Sequence, residues 1–227
     1  MKTRIALIHA LMHSIAPINA AFEAMWPECE RMNVLDDSLS ADLARSAGGL
    51  DAAMTARFMA LAGYVVGTGA QGILFTCSAF GPCIEAVKDA WPDLPVLKPN
   101  EATVEEAVAI ARRGTGRVAV VASFAPTLVS MPPEFPMDIE VTTVFVPGAM
   151  DALNAGDGAT HDRLIAAAMA DVRDVDVAIL AQFSMARAAG TAALATAIPL
   201  LTTPGSAVQG LRHMIANGIE QRRVPIR

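Results

Sequence analysis

The residues best suited to chemistry in this 227-residue sequence surround Cys77. The run Gly72-Ile73-Leu74-Phe75 is typical of a buried parallel strand, and a helical pattern begins at Pro82. Cys77 is therefore predicted to lie at a strand-to-helix corner, where open α/β sheets bind ligands and where backbone N–H groups favour a thiolate. A thiol at such a corner suits acid/base or nucleophilic chemistry. The alternative is a small buried cysteine that only packs, which is also how we interpret Cys83.

Polar side chains also follow the ends of other strand-like runs. They are His9, Thr76, Ser78, Asn100, Ser123, Thr127, Gln182 and Ser184, with Phe183 between the last two. Each could contact a small ligand at the carboxyl edge of a sheet. Each also has a structural alternative, because a lone histidine is commonly hydrogen-bonded inside a core and hydroxyl residues commonly cap helices. For Ser184, an N-cap is the favoured alternative.

The elements that must position these residues alternate along the whole chain. Predicted strands cover residues 4–10, 31–36, 72–76, 94–97, 117–122, 140–146, 176–181 and 198–201. Predicted helices cover residues 17–26, 50–69, 81–90, 101–112, 126–131, 161–172, 184–195 and 204–217. Strands that alternate with helices predict an α/β fold with parallel sheets.

The order of these elements repeats once. The strand before Cys77 has a counterpart in Val177-Ala178-Ile179-Leu180, and Leu94-Pro95-Val96-Leu97 has one in Ile198-Pro199-Leu200-Leu201. We therefore expect two pseudo-symmetric lobes, each a parallel sheet flanked by helices, with the active site between them. The predicted division is residues 1–114 and 115–227, with the last helix free to pack on the first lobe.

Composition excludes several classes of partner. The chain is 53% hydrophobic, with a formal net charge of −6 and a pI near 5.2, so neither nucleic acid nor an anionic membrane is expected as its main partner. The apolar region 175–201 contains Gln182, Arg187 and Pro199 and is not a membrane span. Three cysteines without a Cys-x-x-Cys pair fit a reducing cytoplasm. Asp36 and Asp37 are expected in a solvated loop rather than at a metal site.

With its Thr-Cys-Ser corner and its repeated lobes, the sequence resembles the aspartate/glutamate/hydantoin racemase superfamily over essentially its whole length. Arylmalonate decarboxylase and maleate isomerase belong to the same superfamily. In the racemases of this superfamily one cysteine from each lobe faces the substrate α-carbon, and no metal or pyridoxal cofactor takes part, whereas arylmalonate decarboxylase keeps a single catalytic cysteine. Cys77 matches the first cysteine, whereas Gln182 stands where most members have the second.

The resemblance implies a cofactor-independent isomerase that acts on a small carboxylate-bearing molecule, with Cys77 as acid/base and Gln182 or Ser184 at the second catalytic position. It implies that the substrate carboxylate is held by hydroxyl and backbone N–H groups, for which the pattern offers Ser78, Ser123, Thr127 and the Phe183 turn. Because Gln182 is neither an acid nor a base near neutral pH, three alternatives stay open. They are a one-cysteine decarboxylase, a cis-trans isomerase, and an inactive member that only binds a small molecule. The sequence identifies neither the substrate nor the oligomeric state, and a homo-oligomer is one of the states it allows.

Overall fold

Two parallel β-sheets form the centre of the protein in a computed structural model, which describes the backbone of residues 2–223 and side chains as far as residue 217. The first sheet contains β1 (Arg4–His9), β2 (Glu30–Leu35), β3 (Gly72–Phe75) and β4 (Val96–Leu97), in the order β2-β1-β3-β4. The second contains β5 (Arg117–Ala122), β6 (Glu140–Phe145), β7 (Val177–Leu180) and β8 (Leu200–Thr202), in the order β6-β5-β7-β8. The predicted α/β fold with two similar lobes is confirmed.

Helices flank both sheets. In the first half of the chain they are α1 (Ile15–Met25), α2 (Ser38–Arg45), α3 (Ala52–Gly67), α4 (Gly81–Ala90) and α5 (Glu101–Ala111). In the second half they are α6 (Ala125–Ser130), α7 (Ala149–Asn154), α8 (Gly158–Asp171), α9 (Ala189–Leu194) and α10 (Thr203–Arg223). Short 3-10 segments cover Met12–Ser14, Ser78–Phe80, Pro132–Glu134 and Phe183–Ala188. Within the described residues, no helix is both long and apolar enough to cross a membrane.

Strand register makes Cys77 and Gln182 equivalent positions of the two lobes. Ile8 of β1 pairs with Phe75 of β3, and Val121 of β5 pairs with Leu180 of β7. Cys77 and Gln182 each follow the paired residue by two positions. The strands are parallel, so both residues lie just beyond the carboxyl end of a central strand.

Each lobe buries its sheet between two helical layers. On the first sheet, Ile73 and Phe75 pack with α3 and α4, while Ile5, Leu7 and Leu74 pack with α1 and α10. On the second sheet, one face packs against α5 and the other against α8. Thus α5, which precedes residue 114, covers the second sheet, and α10, which follows it, covers the first.

One helix of the first lobe was not predicted. Asp36 and Asp37 lie in the short connection after β2, and Ser38 then begins α2, which buries Leu39 and Leu43 one turn apart in the core. Arg57 of α3 fixes the start of this helix, donating at 2.7 Å to Asp36 and at 2.7 Å to Asp42. These ionic contacts use the Asp36 carboxylate within the fold.

Candidate active site

A cleft lies where the carboxyl ends of both sheets meet, with about 250 Å³ of open space including its mouth. Its lining comes from both lobes. The lining residues are Leu11, Ser14, Thr76, Cys77, Ser78, Pro99, Ala181, Gln182, Phe183 and Ser184. The fold therefore brings Thr76, Cys77 and Ser78 together with Gln182, Phe183 and Ser184, as the sequence predicted.

The Cys77 thiol is partly buried in this wall. Burial raises the pKa of Cys77, and two weaker contacts oppose the shift, a hydrogen bond from the backbone N–H of Ala79 and the hydroxyl of Ser40. Ser40, on α2, places its Oγ 4.0 Å from the sulfur. Removal from water disfavours the charged form more than these donors favour it, so the environment of Cys77 favours the protonated thiol.

Behind the cysteine, Thr76 is held by a buried histidine. His9 is fully buried, with Nδ1 2.8 Å from Thr76 Oγ1 and Nε2 2.9 Å from Asn33 Oδ1. The Asn33 oxygen also accepts from Asn19 Nδ2 at 3.0 Å, so His9 donates to it through Nε2 and the neutral ring can accept at Nδ1. The one hydroxyl hydrogen of Thr76 then has two acceptors within reach, His9 Nδ1 at 2.8 Å and the Ile8 carbonyl oxygen at 3.3 Å. Burial lowers the pKa of His9, which agrees with this neutral form. His9 therefore orients Thr76 and does not line the cleft.

Ser78 joins the two lobes at the floor of the cleft. Its Oγ lies 3.1 Å from both Thr127 Oγ1 and the carbonyl oxygen of Ala181. In return, Ser130 Oγ donates to the carbonyl oxygen of Ser78 at 2.9 Å. Thr127 is fully buried beneath Ser78 and is not part of the lining. Two residues predicted to bind substrate thus form a hydrogen-bonded link between lobes.

The side chain of Gln182 is anchored at its oxygen. Gln182 Oε1 accepts from the backbone N–H of Ser123 at 2.7 Å, from Ser123 Oγ at 3.1 Å and from the backbone N–H of Phe124 at 3.2 Å. Three donors around one oxygen fix which end of the carboxamide is Oε1. Ser123, predicted as a substrate contact, lies behind the lining and holds Gln182 instead.

Ser184 presents a hydroxyl that the described residues leave unpaired. The residue is 2% exposed, lines the cleft, and its Oγ has no hydrogen-bond partner there. The N-cap expectation was wrong, because Gln182 takes the cap position of the Phe183–Ala188 segment and Ser184 lies inside it. An unpaired buried hydroxyl costs free energy, and a ligand oxygen or a water in the cleft would relieve that cost.

Asn100 does not reach the cleft. It is 1% exposed, its Nδ2 lies 3.3 Å from Met131 Sδ, and the neighbouring Pro99 takes the place in the lining. Conversely, four residues line the cleft that the sequence did not indicate, namely Leu11, Ser14, Pro99 and Ala181. Ser14 could have been found, since its short segment directly follows β1 at the carboxyl edge of the sheet.

Among the residues that the structure describes, those that line the cleft are all uncharged. The nearest lysine in sequence, Lys98, pairs with Glu85 at 2.8 Å and with Glu134 at 3.7 Å. No three His, Cys, Asp or Glu side chains within the described part of the chain are placed to share a metal ion. A substrate anion in this cleft would be held by hydroxyl, carboxamide and backbone N–H donors.

Comparison with known proteins defines the fold. Glutamate racemase RacE1 from Bacillus anthracis superposes with a TM-score of 0.72 at 10% identity, covering 95% of this chain and 82% of that one. Allantoin racemase from Klebsiella pneumoniae gives a TM-score of 0.69 at 17% identity, covering 96% and 89%. Unliganded arylmalonate decarboxylase gives a TM-score of 0.62 at 14% identity, covering 96% and 94%.

The two racemases and the decarboxylase thus share one architecture with this chain. The chain has the same two-lobed α/β fold as these racemases and this decarboxylase, and that fold is the one its sequence predicted. No protein-family model matches the sequence, and no curated protein matches it. At these identities the likeness concerns the fold, and activity must be argued from the cleft itself.

Proposed function

We propose that the chain is a cofactor-independent enzyme of the aspartate/glutamate/hydantoin racemase superfamily that moves a proton at the carbon next to a carboxylate or carbonyl group. The substrate is a small carboxylate-bearing molecule, and Cys77 is the group that carries the proton. The observation that carries the proposal is the Cys77 thiol in a two-lobed cleft of neutral donors, beside the unpaired Oγ of Ser184. The three cysteines are all unpaired thiols, which fits a reducing cytoplasm.

The chemistry follows from the protonation state of the sulfur. A carbanion or enolate formed in the cleft takes the proton from Cys77 Sγ, which leaves a thiolate that regains a proton from water. In the reverse direction the thiolate removes the α-proton, and the electron pair moves onto the carboxylate or carbonyl oxygen. Neutral donors around that oxygen stabilise the charge as it develops. Positioned proton transfer of this kind contributes about 10²- to 10⁴-fold to rate.

Decarboxylation is the second candidate, favoured by the carboxamide of Gln182 at the position equivalent to Cys77 in the cleft. Loss of CO₂ from a substrate with two carboxylates breaks a carbon–carbon bond and leaves an enolate. The enolate needs only a proton donor at the α-carbon, and a protonated thiol supplies one. Racemisation also needs a second acid/base on the opposite face, and the carboxamide of Gln182 does not titrate near neutral pH.

The test is proton exchange at the α-carbon in deuterated water, followed by NMR. Suitable substrates are aspartate, glutamate and allantoin, together with an arylmalonate for which CO₂ release is also measured. We expect Cys77→Ala to lower the rate of exchange or of decarboxylation by a factor of about 10² or more. Cys83→Ala is the matched control, because Cys83 is fully buried in the core of the first lobe and away from the cleft.

Cys83→Ala should lower stability through a small cavity while leaving turnover nearly unchanged. Equal loss of activity in both variants would count against Cys77 as the proton carrier. Tight binding of a substrate without exchange or decarboxylation would identify a binding protein instead of an enzyme.

A further inference from the structure

The cleft is chemically asymmetric at its two equivalent positions. Cys77 offers one lobe an ionisable thiol, whereas Gln182 offers the other a carboxamide. The orientation of that carboxamide is fixed, since Gln182 Oε1 accepts from Ser123 N, Ser123 Oγ and Phe124 N at 2.7, 3.1 and 3.2 Å. A flip would place the N–H₂ group against these three donors.

The other end of the carboxamide is consequently turned away from these donors. Ser123 and Phe124 lie outside the cleft lining, while Gln182 lies within it. None of the hydrogen bonds of Gln182 within the described residues involves Nε2. A carboxamide nitrogen carries two hydrogens and accepts none, so at this position it acts as a donor only.

We propose that Gln182 is a specificity-determining residue whose Nε2 donates to a carboxylate or carbonyl oxygen of the ligand. It does so from the position in the second lobe that is equivalent to that of Cys77 in the first. The proposal rests on the proposed function for the identity of the site. Ser184, two positions along the same segment, adds its unpaired and nine-tenths-buried hydroxyl to this donor set. The lobe that contains Gln182 then selects ligands that carry an oxygen able to accept these hydrogen bonds, and Cys77 alone moves a proton.

A competing arrangement makes the opposite prediction. If the ligand oxygen belonged between Ser123 and Phe124, Gln182 Oε1 would occupy that place and would have to leave before binding. Removal of the carboxamide would then strengthen binding of a carboxylate, whereas our proposal requires that it weaken. The two arrangements are therefore distinguished by the sign of one effect.

The experiment compares two alkylating probes at Cys77, iodoacetate and iodoacetamide, with modification followed by peptide mass spectrometry at a fixed alkaline pH. In both reactions the thiolate displaces iodide, a sulfur–carbon bond forms as the carbon–iodine bond breaks, and the thiol proton goes to solvent. Iodoacetate carries a carboxylate next to the reacting carbon, and iodoacetamide carries a neutral group of similar size. The ratio of the two rate constants reports carboxylate recognition near Cys77 and requires no turnover.

We expect Gln182→Met to lower the iodoacetate-to-iodoacetamide ratio about tenfold, the effect of losing one hydrogen bond to a charged acceptor. Gln182→Glu should lower it further, because one carboxylate oxygen keeps the Ser123 and Phe124 donors while the other repels the probe. Gln71→Met is the matched control, since Gln71 lies outside the cleft, where its Oε1 accepts from Arg4 N at 3.3 Å. Its ratio should equal that of the unaltered protein.

An unchanged ratio in Gln182→Met would overturn the proposal, and a raised ratio would establish the competing arrangement. Gln182→Glu guards against misfolding of the methionine variant, because it retains the anchoring acceptor. Failure of the proposed catalysis can also be distinguished from failure of the role proposed for Gln182. A protein that turns over no substrate but shows the expected ratios keeps the assignment of Gln182 and loses the proposed catalysis.

Discussion

The hydrogen bond between Ser78 and Thr127 allows a quantitative test of whether these residues link the lobes or serve the substrate. Ser78 is 5% exposed and Thr127 is fully buried, so water cannot easily replace either partner. Ser78→Ala leaves Thr127 Oγ1 and the Ala181 carbonyl without this hydrogen-bond partner, each 3.1 Å from the lost oxygen. We expect a loss of about 1–2 kcal/mol in the free energy of unfolding.

Thr127→Val preserves side-chain shape and removes only the hydroxyl, so it should cost about 1 kcal/mol. The double variant should be destabilised by less than the sum of the two, with a coupling energy of about 0.5–1.5 kcal/mol, because no polar group of the pair is then left unpaired. Urea unfolding followed by the fluorescence of the two tryptophans, Trp26 and Trp91, measures all four corners of the cycle. Ser206→Ala, which removes a hydroxyl that contacts Glu106 at 3.2 Å on the surface, is the control and should change stability by less than about 0.5 kcal/mol.

Additive effects of Ser78→Ala and Thr127→Val, within about 0.5 kcal/mol, would refute the link. A pair that is additive in stability but loses iodoacetate recognition at Cys77 would return both residues to the role of ligand contacts, as the sequence first suggested.

Two further predictions concern charge and stereochemistry. Burial raises the pKa of Glu134 above its ordinary value, with Lys98 opposing the shift and Glu101 and Glu85 adding to it, while Lys88 acts with Lys98. A carboxyl group with a raised pKa in the folded state favours folding most when protonated, so its contribution falls as pH rises from about 4.3 through that raised pKa. As pH rises from acid to neutral, Glu134→Gln should therefore lose less stability than the unaltered protein. Tm measured against pH for both proteins tests this, and two parallel Tm curves would contradict the burial of this carboxyl group. Gln182→Cys should create or increase racemisation of a substrate whose α-proton exchanges, because a second acid/base then faces the carbanion. If the unaltered protein already inverts a substrate as fast as it exchanges the proton, chiral analysis will show it, and another residue must serve the second face.

Most of the fold could be predicted because its elements contain long apolar runs, whereas a short polar element such as α2 could not. Every predicted strand occurs, because strands such as β3 and β7 are buried along their whole length and their residues are correspondingly apolar. Helix α2 was missed because its sequence is rich in Asp and Ser. Its stability comes from Leu39 and Leu43 in the core and from Arg57, which lies outside the helix.

The cleft was predictable as a place and less so as a set of contacts. Strand ends identified Cys77 and Gln182 because the carboxyl edge of a parallel sheet is a geometric consequence of the fold. The sequence could not tell which polar groups are already paired. His9 bonds to Thr76, 67 positions away, and Ser123 bonds to Gln182, 59 positions away. The pKa of Cys77 depends on burial, which the packing of α2 and the second lobe sets.

The exchange of helices between the lobes governs how the chain can acquire its structure. The side chains of Ile5 and Leu7 on β1 are covered by Ala207, Val208 and Leu211 of α10, about two hundred positions later in the chain, and Leu74 of β3 packs in the same cluster. During synthesis α1 alone is available to cover this apolar face until α10 emerges, while α5 is made before the sheet that it covers. Neither half has a complete core of its own. We therefore expect the two lobes to unfold as one cooperative unit, with the cleft complete only when the last helix has docked.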